Sequence, residues 1–289
     1  MTSHNHNIAL DQSWIDTKGA GNSNKFSGCL PRTDKPGQYF GFFEENFKGE
    51  ILDVDEIRAA IKKSHPNTSS YSSYKYHQGN NTMCTANAAC QGHNYLQCKQ
   101  YGSKFVFHLA PPSLYDFCGR PGSGSNVGDI VRRLRDHGGV PVDTDRNKAL
   151  MEKAGLDPTH VLDERAYRQG TERKWDKLKE TAQHFQLDEC FEIQGTNGFF
   201  TALVKGFCVH YGRSGHSILA ADAILKIEDI IAKYQDSYGD SGDNGFRYDT
   251  YNYIKRSSAP YGAYAYRSIH HSPPFDRLLK LDLEQRMAL

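Results

Sequence analysis

Cys84 stands at the head of a helix-forming run, Thr85-Ala86-Asn87-Ala88-Ala89. The unpaired amides and dipole at a helix N-terminus stabilise a thiolate and lower its pKa. Gln78, followed by Gly79, lies six residues earlier. Its side-chain amide and the backbone N–H of Cys84 make a pair of donors for a developing oxyanion. A thiolate also needs a proton partner and a group that orients that partner. Candidates for both lie downstream: His216 at the start of an alternating run, His216-Ser217-Ile218-Leu219-Ala220, and Asp236 twenty residues on. Asp243 and Asn244 are alternative orienters, in Gly242-Asp243-Asn244-Gly245-Phe246. Singly, Cys84 reads as a small buried hydrophobe, His216 as a structural histidine and Gln78 as a turn residue. Together they describe acyl transfer, in which a thiol attacks a carbonyl and a histidine moves the proton.

The elements that must hold these groups are partly legible. Asp53 to Lys63 reads as a capped helix with Val54, Ile57 and Ile61 on one face. Cys84 to Lys99 reads as a second helix, ended by Gly102. Phe105 to Leu109 is a strand or a buried connector, and Pro111-Pro112 opens a short helix. Asn126 to Asp136 is helical and closed by Gly138-Gly139, and residues 145–187 are charged and mostly helical or irregular. Phe191-Glu192-Ile193, Cys208 to Tyr211 and His216 to Ala220 read as strands, with further short strands across 234–269. Helices first and strands second predict an α+β fold in two lobes. Residues 1 to 40 are polar and read as an extended, loosely packed arm. The last residues carry a weak helical pattern (Phe275, Leu278, Leu279, Leu281, Leu283) that suits packing on a neighbour.

Composition narrows the function classes. The 289 residues hold 35 Lys+Arg against 34 Asp+Glu, so no basic excess marks a nucleic-acid binder. Neither a signal-peptide pattern nor an apolar run long enough for a membrane span is visible. A chain that is not classically secreted is therefore expected, cytoplasmic or part of a viral or phage particle. The seven cysteines form no CxxC pair, so neither a zinc centre nor any other cofactor is expected.

Several blocks, in order, resemble the papain-like cysteine peptidases. Gln78-Gly79, four spacers and Cys84 have that family's spacing. Gly215-His216-Ser217-Ile218-Leu219 is similar to its histidine strand. Asp236-Ser237-Tyr238-Gly239 with Gly242 to Phe246 is similar to its final block, and Leu109-Ala110-Pro111 and the Gly-rich stretch from Gly122 to Val140 to two others. The resemblance covers residues 70–269, leaving 1–69 as an N-terminal extension and 270–289 as a tail. It implies a helical left lobe, a β-rich right lobe and a cleft between them. Cys84 would be the nucleophile, His216 the general base and acid, Asp236 the orienting group and Gln78 an oxyanion donor. Gly122 and Gly124 would line the substrate cleft, and the partner would be a peptide or protein. Departures are Asn81 in place of a cysteine, Thr85 in place of an aromatic residue, Asp236 in place of Asn, and Tyr238 in place of Trp.

Two other readings stay open at this level. One is a Cys-His acyl transferase or cell-wall amidase, which leaves Gln78-Gly79 unexplained. The other is an assembly protein, such as a virion component, that keeps a papain-like fold and docks through its arm and tail.

Overall fold

The computed structural model describes residues 28–63, 68–71, 74, 76–78, 82–115, 124–163, 175–227, 229–237 and 245–288. Helices α1 (Phe43–Asn46) and α2 (Val54–Lys63) come first. In α2 the Asp53 carboxylate accepts from the amides of Asp55 and Glu56, and Glu56 reaches back to the Asp53 N–H. This is the reciprocal cap that the spacing of Asp53 and Glu56 predicts. Helix α3 (Cys84–Tyr101) follows, then α4 (Pro112–Tyr115), α5 (Val127–His137), α6 (Asp145–Ala154) and α7 (Trp175–Ala182).

The second half holds β1 (Leu187–Glu192), α8 (Thr196–Val204), β2 (Cys208–Arg213), β3 (His216–Lys226), β4 (Asp229–Gln235) and β5 (Phe246–Thr250). Helix α9 (Tyr251–Ser257), β6 (Ala263–Ile269) and α10 (Pro273–Met287) complete it. The strands form one antiparallel sheet in the order β1-β6-β2-β3-β4-β5. The fold is α+β, as the helix-then-strand pattern predicts.

The core lies on both faces of the sheet. One cluster joins α3, α5 and α6 to Leu219, Tyr264 and Tyr266. The other joins Phe43, Ile57 and Ile61 to α8 and to Val209, Ile218 and Ala220. Helix α3 is therefore buried around its circumference, from Cys84 through Gln97. Its polar side chains must find partners inside. Gln97 does so by exchanging hydrogen bonds of 2.8 and 2.9 Å with the backbone of Phe107. That exchange fixes Phe105 to Leu109 as a connector beside α3 rather than a sheet strand.

Some expectations are refined. Within the described part of the arm, 28–40, Cys29 and Phe40 are buried while most residues between them are exposed, so the segment is anchored at its ends. The tail packs on its own chain through Phe275, stacked on Tyr101 at 4.2 Å, and Leu278, while Leu279, Leu281 and Leu283 stay exposed. Residues 251–257 form a helix where further short strands were expected across 234–269, and residues 196–204, for which no element was predicted, form another.

A buried ion pair anchors the right lobe. Arg213 donates to Asp249 at 3.0 Å and to Tyr234, and Tyr211 donates to Asp249 at 2.6 Å. Both charged side chains are almost fully inaccessible. Removing one partner strands the other charge. Asp249→Asn is expected to cost about 3 kcal/mol or more of unfolding free energy, read by urea denaturation.

Candidate functional site

Three elements bring the reactive groups together. Cys84 is the first residue of α3, and its N-cap, Met83, provides no side-chain acceptor for the first-turn amides. Those donors point toward the thiol end of the helix. His216 opens β3 just after a turn in which Gly215 takes φ +71°. Asp236 follows the last residue of β4, and its amide is held by the Gly245 carbonyl at 3.0 Å. Because β3 and β4 are antiparallel neighbours, the start of one lies beside the end of the other.

The histidine bridges the other two. His216 Nε2 lies 3.0 Å from Asp236 Oδ1, and His216 is also hydrogen-bonded to the Cys84 side chain. Burial alone pushes the imidazole pKa down. The bond to Asp236 and the bond to Cys84 outweigh burial and raise it from 6.5 to about 9. Burial likewise works against the Asp236 carboxylate, but His216 and then Arg247 hold it below its ordinary range. The imidazolium–carboxylate pair is therefore present below about pH 9 and is lost as pH rises through that value. Asp236→Asn removes the largest raising influence. The His216 titration is then expected to fall by about one unit or more, measured by NMR of the imidazole ring.

Gln78 joins this site through Ser237. Its backbone amide donates to the Ser237 carbonyl at 2.8 Å, and the Ser237 hydroxyl donates to Gln78 Oε1. With its oxygen engaged, the carboxamide turns its NH2 end away from Ser237. Gly124 is held at the cleft edge by a 3.1 Å bond from its amide to Tyr115 Oη, and Tyr115 also bonds Thr82 two residues before Cys84. Gly122, the alternative orienters Asp243 and Asn244, and the departures at Asn81 and Tyr238 lie outside the described residues.

Several site residues escape sequence reasoning. Arg247 Nε lies 3.2 Å from Asp236 Oδ2, the oxygen that His216 does not use. The register pairs Tyr234 with Arg247, so Asp236 and Arg247 are diagonal neighbours on one sheet face. Ser237 was only part of a block, and Thr85 was only a departure. The Thr85 hydroxyl in fact bonds Ser125 Oγ and ties α3 to the cleft edge.

The cleft holds a peptide segment of the same chain. The Gly28 N–H donates to the Gly215 carbonyl at 3.2 Å, next to His216. The Ser125 N–H donates to the Gly28 carbonyl at 3.1 Å, and the Leu30 N–H donates to the Ser125 carbonyl at 3.0 Å. These bonds form a parallel bridge of Cys29 with Ser125. A Cβ on Gly28 would lie 2.8 Å from Cys84 Sγ, so only glycine passes over the thiol at this height. Beyond it, Arg32 pairs with the buried Glu192 at 2.5 Å and latches the segment to the right lobe. The site thus accommodates an extended backbone directly over a thiol, a histidine and a carboxylate. Among the described residues no group of three or more His, Cys, Asp or Glu could hold a metal ion, and no helix is long and apolar enough to cross a membrane.

No family model matches the chain, and no curated protein matches it. Solved structures do. Xylellain, a cysteine protease from Xylella fastidiosa, is similar with a TM-score of 0.56 and 15% identity, over 85% of this chain and 97% of its own. Procathepsin L2 from the larval midgut of Tenebrio molitor gives 0.53 and 11%, over 84% and 78%. Procathepsin B S9 from Trypanosoma congolense gives 0.52 and 11%, over 86% and 87%. The fold is papain-like.

Proposed function

We propose that this chain is a latent cysteine peptidase that hydrolyses peptide or isopeptide bonds through Cys84, His216 and Asp236. The observation that carries this reading is the position of His216 between the Cys84 thiol and the Asp236 carboxylate, beneath a bound stretch of peptide backbone. The fold it shares with proteins named as cysteine proteases supports it, and two of those neighbours are named as pro-forms.

In this reading the Cys84 thiolate attacks the carbonyl carbon. The Cys84 backbone N–H and the Gln78 amide take the oxyanion. His216, held by Asp236, gives its proton to the departing amine as the C–N bond breaks, leaving a thioester. Water then loses a proton to His216 and attacks the thioester, which releases the acid and restores the thiol. An aspartate suits the orienting role because it pairs ionically with the imidazolium that forms. Segment 28–32 holds the cleft closed until it is displaced.

A peptide bearing an electrophilic ketone, given to the chain with Gly28→Val so that the covering segment is lifted from the thiol, tests the assignment. A thioether on Cys84 alone among the described cysteines, located by mass spectrometry, is the expected product. Labelling that falls instead on the more exposed Cys98, with Cys84 untouched in a folded protein, would remove the nucleophile from the proposal.

A further inference from the structure

Asp236 is a buried carboxylate whose two oxygens have different surroundings. Its backbone amide is held by the Gly245 carbonyl, and Oδ1 faces His216 Nε2 at 3.0 Å. Among the described residues no hydrogen bond reaches the buried Oδ2, and Arg247 Nε stands 3.2 Å from it as a charge rather than an aligned donor. A carboxylate oxygen taken out of water without compensation is costly, so the cation offsets what the missing donor leaves. A neutral amide at this position would need no such cation. Other charges nearby are engaged elsewhere. Arg213 approaches from β2, but its guanidinium pairs with Asp249 at 3.0 Å. Lys233 of β4 lies on the opposite sheet face, over the Phe246 ring at 4.4 Å. The Cys84 thiol comes from α3 and bonds to His216. Among the described residues Arg247 has its one ion pair with Asp236.

We infer that Arg247 is a positioning residue for the His216–Asp236 pair: it balances the carboxylate charge and fixes the carboxylate plane so that Oδ1 is presented to the imidazole. The two oxygens of a carboxylate are chemically equivalent, so one contact with His216 leaves the plane free to turn. A second, ionic contact on Oδ2 removes that freedom. The oxygen and NH2 ends of an asparagine differ, so an amide is sorted by its own hydrogen bonds and gains nothing from the cation. Arg247 therefore acts only through Asp236. A cation also disfavours a proton bound beside it. Burial raises the proton affinity of Asp236, and His216 and then Arg247 lower it. The role of Arg247 in turnover rests on the peptidase reading; its contact with Asp236 does not.

The test uses the full chain carrying Gly28→Val, with Arg247→Gln, Arg247→Lys, Asp236→Asn, and Arg247→Gln together with Asp236→Asn. The Arg247 side chain is 33% exposed, so its replacement opens no core cavity. Carbon NMR of the Asp236 carboxyl reads the contact. In Arg247→Gln its titration is expected to move up toward the ordinary carboxylate range, and in Arg247→Lys to stay near the parent. Peptide hydrolysis reads the role. Arg247→Gln should lower kcat about ten-fold with KM within about two-fold, and Arg247→Lys should recover most of the loss. With Asn at position 236, the further change Arg247→Gln should alter kcat by less than about two-fold, because the residue it acts through is gone. An unmoved carboxyl titration, a lysine no better than glutamine, or an equal loss with Asn at 236 would overturn the positioning role. Cleavage that still required Cys84 would then leave the peptidase reading intact. A carboxyl titration that moves as expected, while the folded Gly28→Val parent cuts no peptide, would sustain the Arg247–Asp236 contact and overturn the peptidase reading.

Discussion

Cys84→Ala is expected to lower peptide hydrolysis by at least about 10³-fold, with the fold retained. The size of the loss follows from the mechanism. In the proposed mechanism His216 and Asp236 serve only to activate and reprotonate around a covalent thioester, so without sulfur they would have nothing to act on. The fold should survive because Cys84 forms no disulfide and the substitution removes a single sulfur atom from the start of a helix. The measurement is kcat/KM on a peptide in reducing buffer, beside a thermal melt. A variant that melts normally and cleaves at the native rate would place the chemistry elsewhere. His216→Ala should match it, because residues that act as a unit lose their effect together.

Gly28→Val is expected to move activity in the opposite direction. Any Cβ at this position meets the Cys84 sulfur at 2.8 Å and the Thr82 carbonyl oxygen at 3.2 Å. Neither neighbour can retreat, because one is the first residue of a buried helix and the other is backbone, so the segment must lift. Four backbone hydrogen bonds hold it: Gly28 to Gly215, Ser125 to Gly28, Leu30 to Ser125 and Arg32 to Pro260. At about 0.5–1 kcal/mol each they contribute roughly 2–4 kcal/mol to closure, which equals roughly 30- to 1,000-fold in cleft occupancy. Hydrolysis by Gly28→Val should rise toward that range when the peptide is present below saturation. A substitution within the segment is a better instrument than deletion. Deleting the segment would also remove Arg32 and leave the buried Glu192 carboxylate without its cation. Unchanged hydrolysis in a folded Gly28→Val protein would mean that the segment does not control access.

The candidate site groups could be picked out because each carries a local signal. The Gln78–Cys84 spacing, a cysteine at a helix start and a histidine at a strand start all lie within short stretches, and antiparallel pairing of β3 with β4 makes His216 and Asp236 neighbours. The two-lobed α+β outline was legible for the same reason, from the change of periodicity near residue 188. What escaped depends on pairing across the sheet. Arg247 reaches Asp236 only through the β4–β5 register, and no spacing rule predicts that diagonal. Segment 28–32 looked like a loose polar arm because its stability comes from hydrogen bonds to Ser125, Gly215 and Pro260 rather than from apolar content of its own. Helix α8 was hidden by Phe199-Phe200 and by burial on several sides, which erases the amphipathic stripe. Helix α9 was hidden among tyrosines and serines, although the Thr250 hydroxyl accepts from the Tyr253 amide as a local cap.

The most direct test compares two proteins, Gly28→Val and Gly28→Val with Cys84→Ala, on one mixed peptide library in reducing buffer. New peptide N-termini appearing with the first protein and absent with the second is the result expected of a cysteine peptidase whose cleft is closed by its own chain. Intact peptides with a folded, reduced first protein, or equal cleavage by both, would contradict it.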